Sequence, residues 1–132
     1  MLGDHVVFPI LLSKDLAASR AFYHDTLGLE ILREDDDRIM FRCGGGSFLA
    51  VSLSTTGTAD TQTQLAWRVP DLKAELSDLR SRGVPIQEYD VPDPRTSDGI
   101  ADMGFAWAAW IIDPSGNVLG IIQPKAPPRT AG

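Results

Sequence analysis

The chain has 132 residues, of which 43% are hydrophobic and 23% charged, and its formal net charge is −6. This length and composition predict one soluble globular domain, because two separate halves would each bury too little apolar surface. The negative charge and the scattered Lys and Arg residues argue against nucleic acid and an anionic membrane surface as partners.

Residue counts exclude two further classes of protein. Cys43 is the only cysteine, so neither an intrachain disulfide nor a cysteine-based zinc site can form. The N-terminus has no basic segment followed by a long apolar stretch, and no apolar run approaches the ~20 residues of a membrane span. We therefore expect a cytoplasmic protein.

The first half of the chain predicts one helix among several strands. An apolar run at 6–12 indicates a strand, Asp15 is a typical helix N-cap, and Gly28 is a typical helix stop. Three further strands are predicted at 29–32, 38–42 and 48–53. The polar, turn-rich stretch at 54–63 is interpreted as a linker.

The second half repeats this order. A strand at 64–69 precedes Asp71, a second N-cap, and Gly83, a second helix stop. Further strands are predicted at 84–88, 105–112 and 118–123. The long, Asp- and Pro-rich segment 89–104 is either a solvated acidic loop or a rim over a binding site. A flexible tail is expected at 124–132.

The repeat is the strongest organising feature of the sequence. It predicts an α+β fold made of two βαβββ modules, at 5–53 and 64–123, within a single domain at 1–123. Since each module has one helix, the helix covers only one sheet face. The other face is buried against its twin or lines a cavity, so the two modules are expected to form a cupped mixed sheet.

Two segments carry a resemblance to a known family. The stretches SKDLAASRAFYHDTLGLEI and DPSGNVLGIIQ resemble the opening and closing motifs of the vicinal oxygen chelate superfamily. This superfamily includes glyoxalase I, extradiol dioxygenases and bleomycin-resistance proteins, and the resemblance implies the glyoxalase/bleomycin-resistance fold. The likeness runs over about residues 5–123. Because the family is functionally broad, the fold does not settle the activity.

Enzymes of this family hold a divalent metal through four inward strand positions. The resemblance places those positions at Phe8, Ser52, Leu65 and Gly120. Three of these side chains cannot ligate a metal, and a serine hydroxyl is a poor ligand. His5 and His24, the only histidines, are expected to lie elsewhere, with His24 exposed on the first helix. The sequence therefore predicts no metal and no other cofactor.

Strand alternation predicts what fills the cup instead. Apolar groups occupy the inward positions, and Gly120 leaves volume unfilled. The candidate ligand-binding residues are Phe8, Ile10, Phe48, Ser52, Leu65, Trp67, Trp107, Trp110, Gly120 and Tyr89, with Trp107 placed at a rim. The same residues could instead pack together as core, and both interpretations stay open.

Three functions follow from these patterns. The first is a metal-free binding protein that sequesters an apolar or aromatic antibiotic, as a homodimer by resemblance. The second is a lyase or oxygenase of the glyoxalase or dioxygenase type, for which only loop residues such as Tyr89, Asp98 or Asp102 could act as acid or base. The third is a fold without a ligand that acts through protein contacts.

Overall fold

The computed structural model describes residues 1–54, 62–90 and 95–125. Most of the predicted linker (55–61), part of the predicted rim (91–94) and most of the predicted tail (126–132) lie outside these ranges. Contacts divide the chain into two compact units. Unit 1 comprises Met1–Gln64 with Asp113–Asn117, and unit 2 comprises Leu65–Ile112 with Val118–Gly132.

Unit 1 is a four-stranded mixed sheet with one helix. Its elements are β1 (Ile10–Ser13), α1 (Leu16–Arg20), a continuing π-helical turn (Ala21–Thr26), β2 (Glu30–Glu34), β3 (Arg38–Arg42) and β4 (Phe48–Leu53). The strand order is β1-β4-β3-β2. β1 runs parallel to β4, and the remaining pairs are antiparallel.

The helical layer covers one face of this sheet. Leu11, Ile39, Phe41 and Val51 are almost completely buried on that face. Tyr23, in the π-helical turn, is also fully buried, and its ring lies 5.4 Å from that of Phe41. This face supplies the core of unit 1.

β1 is shorter than the sequence predicts. The strand begins at Ile10 rather than at residue 6. Pro9 has no N–H to donate to a ladder, although its carbonyl accepts a hydrogen bond from Ala50 N (3.0 Å). Val6 and Val7 therefore precede the sheet and are 84% and 90% exposed.

The remaining elements belong to a five-stranded sheet and a second helix. They are β5 (Thr63–Arg68), α2 (Leu72–Ser81), β6 (Thr96–Ser97), β7 (Ile100–Asp102), β8 (Ala106–Ile112) and β9 (Val118–Pro124). The strand order is β5-β9-β8-β7-β6. α2 packs on β8 and β9 through its buried Leu72 and Leu76.

Both predicted helix starts are confirmed at atomic detail. Asp15 accepts a hydrogen bond from Ala18 N, and Asp71 accepts one from Ala74 N, each at 3.1 Å. The two cap residues have nearly the same extended backbone angles. Identical capping chemistry in the two halves supports the predicted duplication at the level of local structure.

The segment between α2 and β8 differs from the prediction. Residues 84–88 form no strand, although Gln87 N donates to the carbonyl of Trp110 (2.9 Å). The predicted loop instead contains the β6–β7 hairpin, whose turn residues Asp98 and Gly99 have φ of 55° and 82°. An Asp-Gly pair is the sequence signal of such a tight hairpin, because both turn residues adopt a positive φ.

Within the described residues, no helix is both long enough and apolar enough to cross a membrane.

A candidate small-molecule site

The sheet face of unit 1 away from the helical layer carries a group of apolar side chains and is partly uncovered. Register pairs Ile10 with Ala50 and Leu12 with Ser52, so these side chains share one face. Ile10 is 58% exposed and Leu12 is 37% exposed. We call this surface the open face; its strand residues are Ile10, Leu12, Glu30, Arg33, Arg38, Met40, Arg42, Phe48, Ala50 and Ser52.

Two aromatic rings stack at one end of the open face. Phe8 and Phe48 have ring centroids 4.6 Å apart and an interplanar angle of 27°. Phe8 remains 43% exposed and Phe48 is half-buried. Four predicted site residues, Phe8, Ile10, Phe48 and Ser52, are thus brought together in unit 1.

In unit 2 the predicted site residues are more tightly packed. Trp110 is only 9% exposed and lies in a cluster with Ala101, Ala108 and Val118. Tyr89 contacts it edge to face, with centroids 5.6 Å apart. Trp110 and Tyr89 therefore fit the core interpretation rather than an open cavity wall.

Three further predicted residues lie in β5 and β9. Leu65 and Trp67 are half-buried and alternate with the exposed Ala66 and Arg68. Gly120 is buried and pairs with Trp110 across the β8–β9 ladder. Of the three, Leu65 and Trp67 keep surface that a ligand could contact.

Trp107 does not lie at the rim of the predicted cup. It pairs with Gln123 across the β8–β9 ladder. Its side chain lies on the same sheet face as the buried Ala109 and Ile111, beneath α2. Trp107 and Trp110 therefore point to opposite faces of the sheet, as their odd spacing requires. Lys125 Nζ lies 4.2 Å from the centroid of the Trp107 ring.

A cavity of about 790 Å³ lies on this helix-bearing side of unit 2. Its walls include Leu72, Leu76 and Arg80 of α2, Ile100 of β7, Trp107 and Gln123, and charged residues such as Asp71, Lys73 and Asp98 also line it. The volume is within the range of small-molecule sites. It is a rival location to the open face, and sequence reasoning did not find it because helix α2 and the hairpin create it jointly.

The side chains at the family's metal positions do not fit a divalent ion. Phe8 is committed to a ring stack, Leu65 is aliphatic, and Gly120 has no side chain. Ser52 is the only oxygen donor of the four. Within the described ranges, no three His, Cys, Asp or Glu side chains are grouped as a metal site would need.

The candidate loop acids are already engaged in ion pairs. Asp98 lies 3.7 Å from the Arg80 guanidinium, and Asp102 lies 2.6 Å from Lys125 Nζ. The Lys125 ammonium, followed by the Gly104 N–H, lowers the pKa of Asp102. An exposed carboxylate held ionised in this way is a poor general acid.

His24 is not simply exposed, as the sequence suggested. It is half-buried in the π-helical turn, and its Nδ1 lies 2.8 Å from the carbonyl oxygen of Leu29. That contact ties the end of the helical segment to the start of β2. The expectation that His24 is exposed to solvent is therefore wrong, and its side chain has a structural role.

The closing-motif residues Asp113 and Asn117 are structural anchors of unit 1. Asp113 is buried and accepts from the Tyr23 hydroxyl (2.7 Å) and from Asn117 Nδ2 (2.8 Å). Asn117 Nδ2 also donates to the Leu12 carbonyl (2.8 Å). Burial, and then the negative charge of Asp113, raise the pKa of Tyr23 far above its ordinary value.

Both halves of the chain thus have a helix on one sheet face, and the open face carries apolar side chains beside charged ones. The first half has the predicted βαβββ order, and the second half has the β6–β7 hairpin where the prediction has one strand. The sequence model of the Glyoxalase/Bleomycin resistance protein/Dioxygenase superfamily matches residues 4–121. The chain belongs to that superfamily.

Solved structures agree on the fold. A glyoxalase family protein from Bacillus anthracis has a TM-score of 0.71 at 15% identity, covering 92% of this chain and 95% of its own. An antibiotic-binding protein from a Streptomyces species (TM-score 0.67, 23% identity) covers 92% and 96%. A bleomycin-binding protein in complex with bleomycin (TM-score 0.67, 24% identity) covers 92% and 99%. A search of the curated proteins finds no match.

Proposed function

We propose that this protein binds an apolar or aromatic small molecule on the open face and sequesters it without a metal. The observation that carries the proposal is the exposed apolar surface around the stacked rings of Phe8 and Phe48. Leaving large apolar side chains exposed together is unfavourable unless a partner covers them.

The likeness to proteins named for binding bleomycin and an antibiotic supports capture of an antibiotic as the biological role. Such capture is stoichiometric and needs no reacting group. Stacking contributes about 0.5–1.5 kcal/mol per aromatic contact, in addition to about 25 cal/mol per Å² of buried apolar surface. Together these terms are sufficient for micromolar affinity.

The test is calorimetric titration with bleomycin, a panel of polycyclic antibiotics and the neutral probe N-phenyl-1-naphthylamine. We expect the double variant F8A/F48A to weaken the binding of the best ligand by about tenfold or more, because two ring contacts are lost. The matched control is F105A, which removes an exposed phenylalanine outside the open face. Unchanged affinity in F8A/F48A contradicts the proposed site.

The cavity beside Trp107 is tested in the same titration. If Trp107→Leu abolishes binding while F8A/F48A does not, the ligand occupies the cavity on the helix-bearing side. Elemental analysis of the purified protein tests metal independence, and near-stoichiometric zinc, nickel, manganese or iron contradicts it. Turnover of a methylglyoxal–thiol adduct or a catechol favours the alternative lyase or oxygenase function.

We also propose that the protein forms a homodimer. β1 is an edge strand of the unit 1 sheet, and the chain before it exposes Leu2, Val6 and Val7. An exposed apolar edge is a template for pairing with another chain. A second copy of this chain is the partner that the resemblance suggests.

A further inference from the structure

Three arginines lie on the open face, one in each of its rows. The β3–β4 register pairs Arg38 with Ser52 and Arg42 with Phe48. The β2–β3 register, after a bulge, pairs Arg33 with Met40. Directly paired residues project to the same side of a sheet, so all three guanidinium groups lie on the open face.

Only one of these three charges is neutralised by a carboxylate on the same face. Arg42 Nε lies 3.2 Å from Glu30 Oε2, and Glu30 is the only acidic residue in the rows. Arg33 and Arg38 have no ion pair within 4 Å among the described residues.

The nearby acidic turn does not cancel those two charges by direct pairing. Asp35 Oδ1 accepts hydrogen bonds from the backbone N–H groups of Asp37 and Arg38. The Asp37 N–H contributes most to the lowered pKa of Asp35, and the charges of Arg38 and Arg33 lower it further. The Asp35 carboxylate thus stabilises the turn through backbone hydrogen bonds, and the guanidinium groups of Arg33 and Arg38 stay available to a ligand.

The open face is therefore divided by chemistry across its strands. β1 and β4 carry Phe48 and most of the aliphatic side chains, and β2 and β3 carry the arginines together with Glu30 and Met40. Neighbouring strands lie about 4.8 Å apart, so the apolar and cationic halves are separated by roughly 5–10 Å. A bicyclic aromatic ring with one acidic substituent spans that distance.

We propose that the ligand of the open face is an aromatic anion, whose ring lies against the apolar half and whose carboxylate, sulfonate or phosphate binds Arg33 and Arg38. This inference rests on the proposed function and narrows it to one class of ligand. Arginine suits the role because its planar guanidinium donates two parallel hydrogen bonds to such groups. The site selects an anion although the whole chain carries a net charge of −6.

The experiment compares two probes with the same aromatic frame, 1-anilinonaphthalene-8-sulfonate and the neutral N-phenyl-1-naphthylamine. We expect R33Q/R38Q to weaken sulfonate binding about fivefold, since exposed ion pairs contribute about 0.2–1 kcal/mol each. Affinity for the neutral probe should change less than about twofold. Added salt should weaken only the sulfonate, because screening removes a local attraction.

A control variant tests for a general effect of charge loss. R82Q removes an arginine of unit 2 that is ion-paired with Asp78. It should change the ratio of the two affinities less than R33Q/R38Q does.

Each outcome separates the two proposals. If both probes bind but R33Q/R38Q leaves their ratio unchanged, the anion preference is wrong and the proposed function stands. The same holds if salt strengthens sulfonate binding, since repulsion by the net charge then dominates. If only the neutral probe binds the wild-type protein, the anion preference is wrong and the proposed function stands. Failure of both probes to bind contradicts the proposed function as well.

Discussion

Tyr23 is fully buried, and its hydroxyl group donates to the buried Asp113 carboxylate at 2.7 Å. The carboxylate lies ninety residues further along the chain, so this single bond ties the first helix to the closing turn. A hydrogen bond to a buried charge is among the stronger ones, because the charged group cannot be solvated in its absence.

Substituting Tyr23 by phenylalanine should destabilise the protein by roughly 1.5–3 kcal/mol at neutral pH. The raised pKa of Tyr23 means that above its ordinary pKa of 10.0 the unfolded chain releases a proton that the folded chain retains. Wild-type stability then falls as pH rises, whereas the variant lacks this ionisation, so the difference between them should narrow above pH 10.

Urea unfolding at several alkaline pH values measures that difference. Tyr89→Phe is the matched control: it also loses a phenol hydroxyl but keeps the edge-to-face ring contact with Trp110. We expect its stability to stay within about 0.5 kcal/mol of wild type at neutral pH. A Tyr23→Phe deficit that stays constant across the alkaline range would falsify the assignment.

Single residues of the candidate site illustrate which neighbours a sequence pattern can predict. Phe8, Ile10, Phe48 and Ser52 lie together, because alternation and strand pairing are local rules that the pattern already contains. Trp110 is packed instead, because Tyr89 comes from a segment whose path depends on tertiary contacts.

At the scale of elements, the β6–β7 hairpin and its turn define the outer edge of the second sheet. Gly99 has a φ of 82°, and a Cβ there would lie 2.6 Å from Ile86 Cγ2. Gly104 has a φ of 85°, with nothing within 4 Å of its Cβ position. An alanine would be strained by the positive φ at both positions. It would clash with a neighbouring side chain only at position 99.

Gly104→Ala should therefore cost roughly 1–2 kcal/mol for the left-handed backbone alone. Gly99→Ala should cost about 1–3 kcal/mol more, because the β-branched Ile86 cannot move aside easily. Chemical unfolding of the two variants measures the difference. Equal stability of the two would show that the hairpin can shift away from Ile86.

The helices were predicted more reliably than the strands that follow them. The caps Asp15 and Asp71 and the stops Gly28 and Gly83 act within one turn of backbone, so their residue types predict the outcome. The expected strand at 84–88 had no such local signal. It forms only a single described backbone bond to β8, from Gln87.

At the scale of the whole molecule, the exposed residues before β1 are the basis of the proposed homodimer. V6K/V7K should weaken self-association, because two charges would have to be buried at the contact. The matched control is Phe105→Lys, which places a lysine at another exposed apolar position. Sedimentation velocity over a range of concentrations measures the effect. A wild-type protein that stays monomeric throughout contradicts the dimer.

The sequence by itself determined where each helix begins and ends and which strand residues are apolar. Two Asp caps and two Gly stops depend on local backbone physics, so they predicted the helix of each half, and period-2 alternation predicted which strand residues share a face. The resemblance supplied the positions where the family's enzymes carry ligands, and the β6–β7 hairpin was not predicted. The closing motif was readable as well, but its structural role was not, because the Tyr23–Asp113 bond joins residues distant along the chain.

Only the tertiary structure decided which apolar positions stay uncovered. It buries Trp110 beneath Tyr89, turns Trp107 toward α2, and leaves Phe8 and Ile10 exposed. It also places Arg33 on the same face as Arg38 and Arg42, through a bulge in the β2–β3 pairing. Burial and register are set by contacts between distant segments, and a pattern along one chain does not contain them.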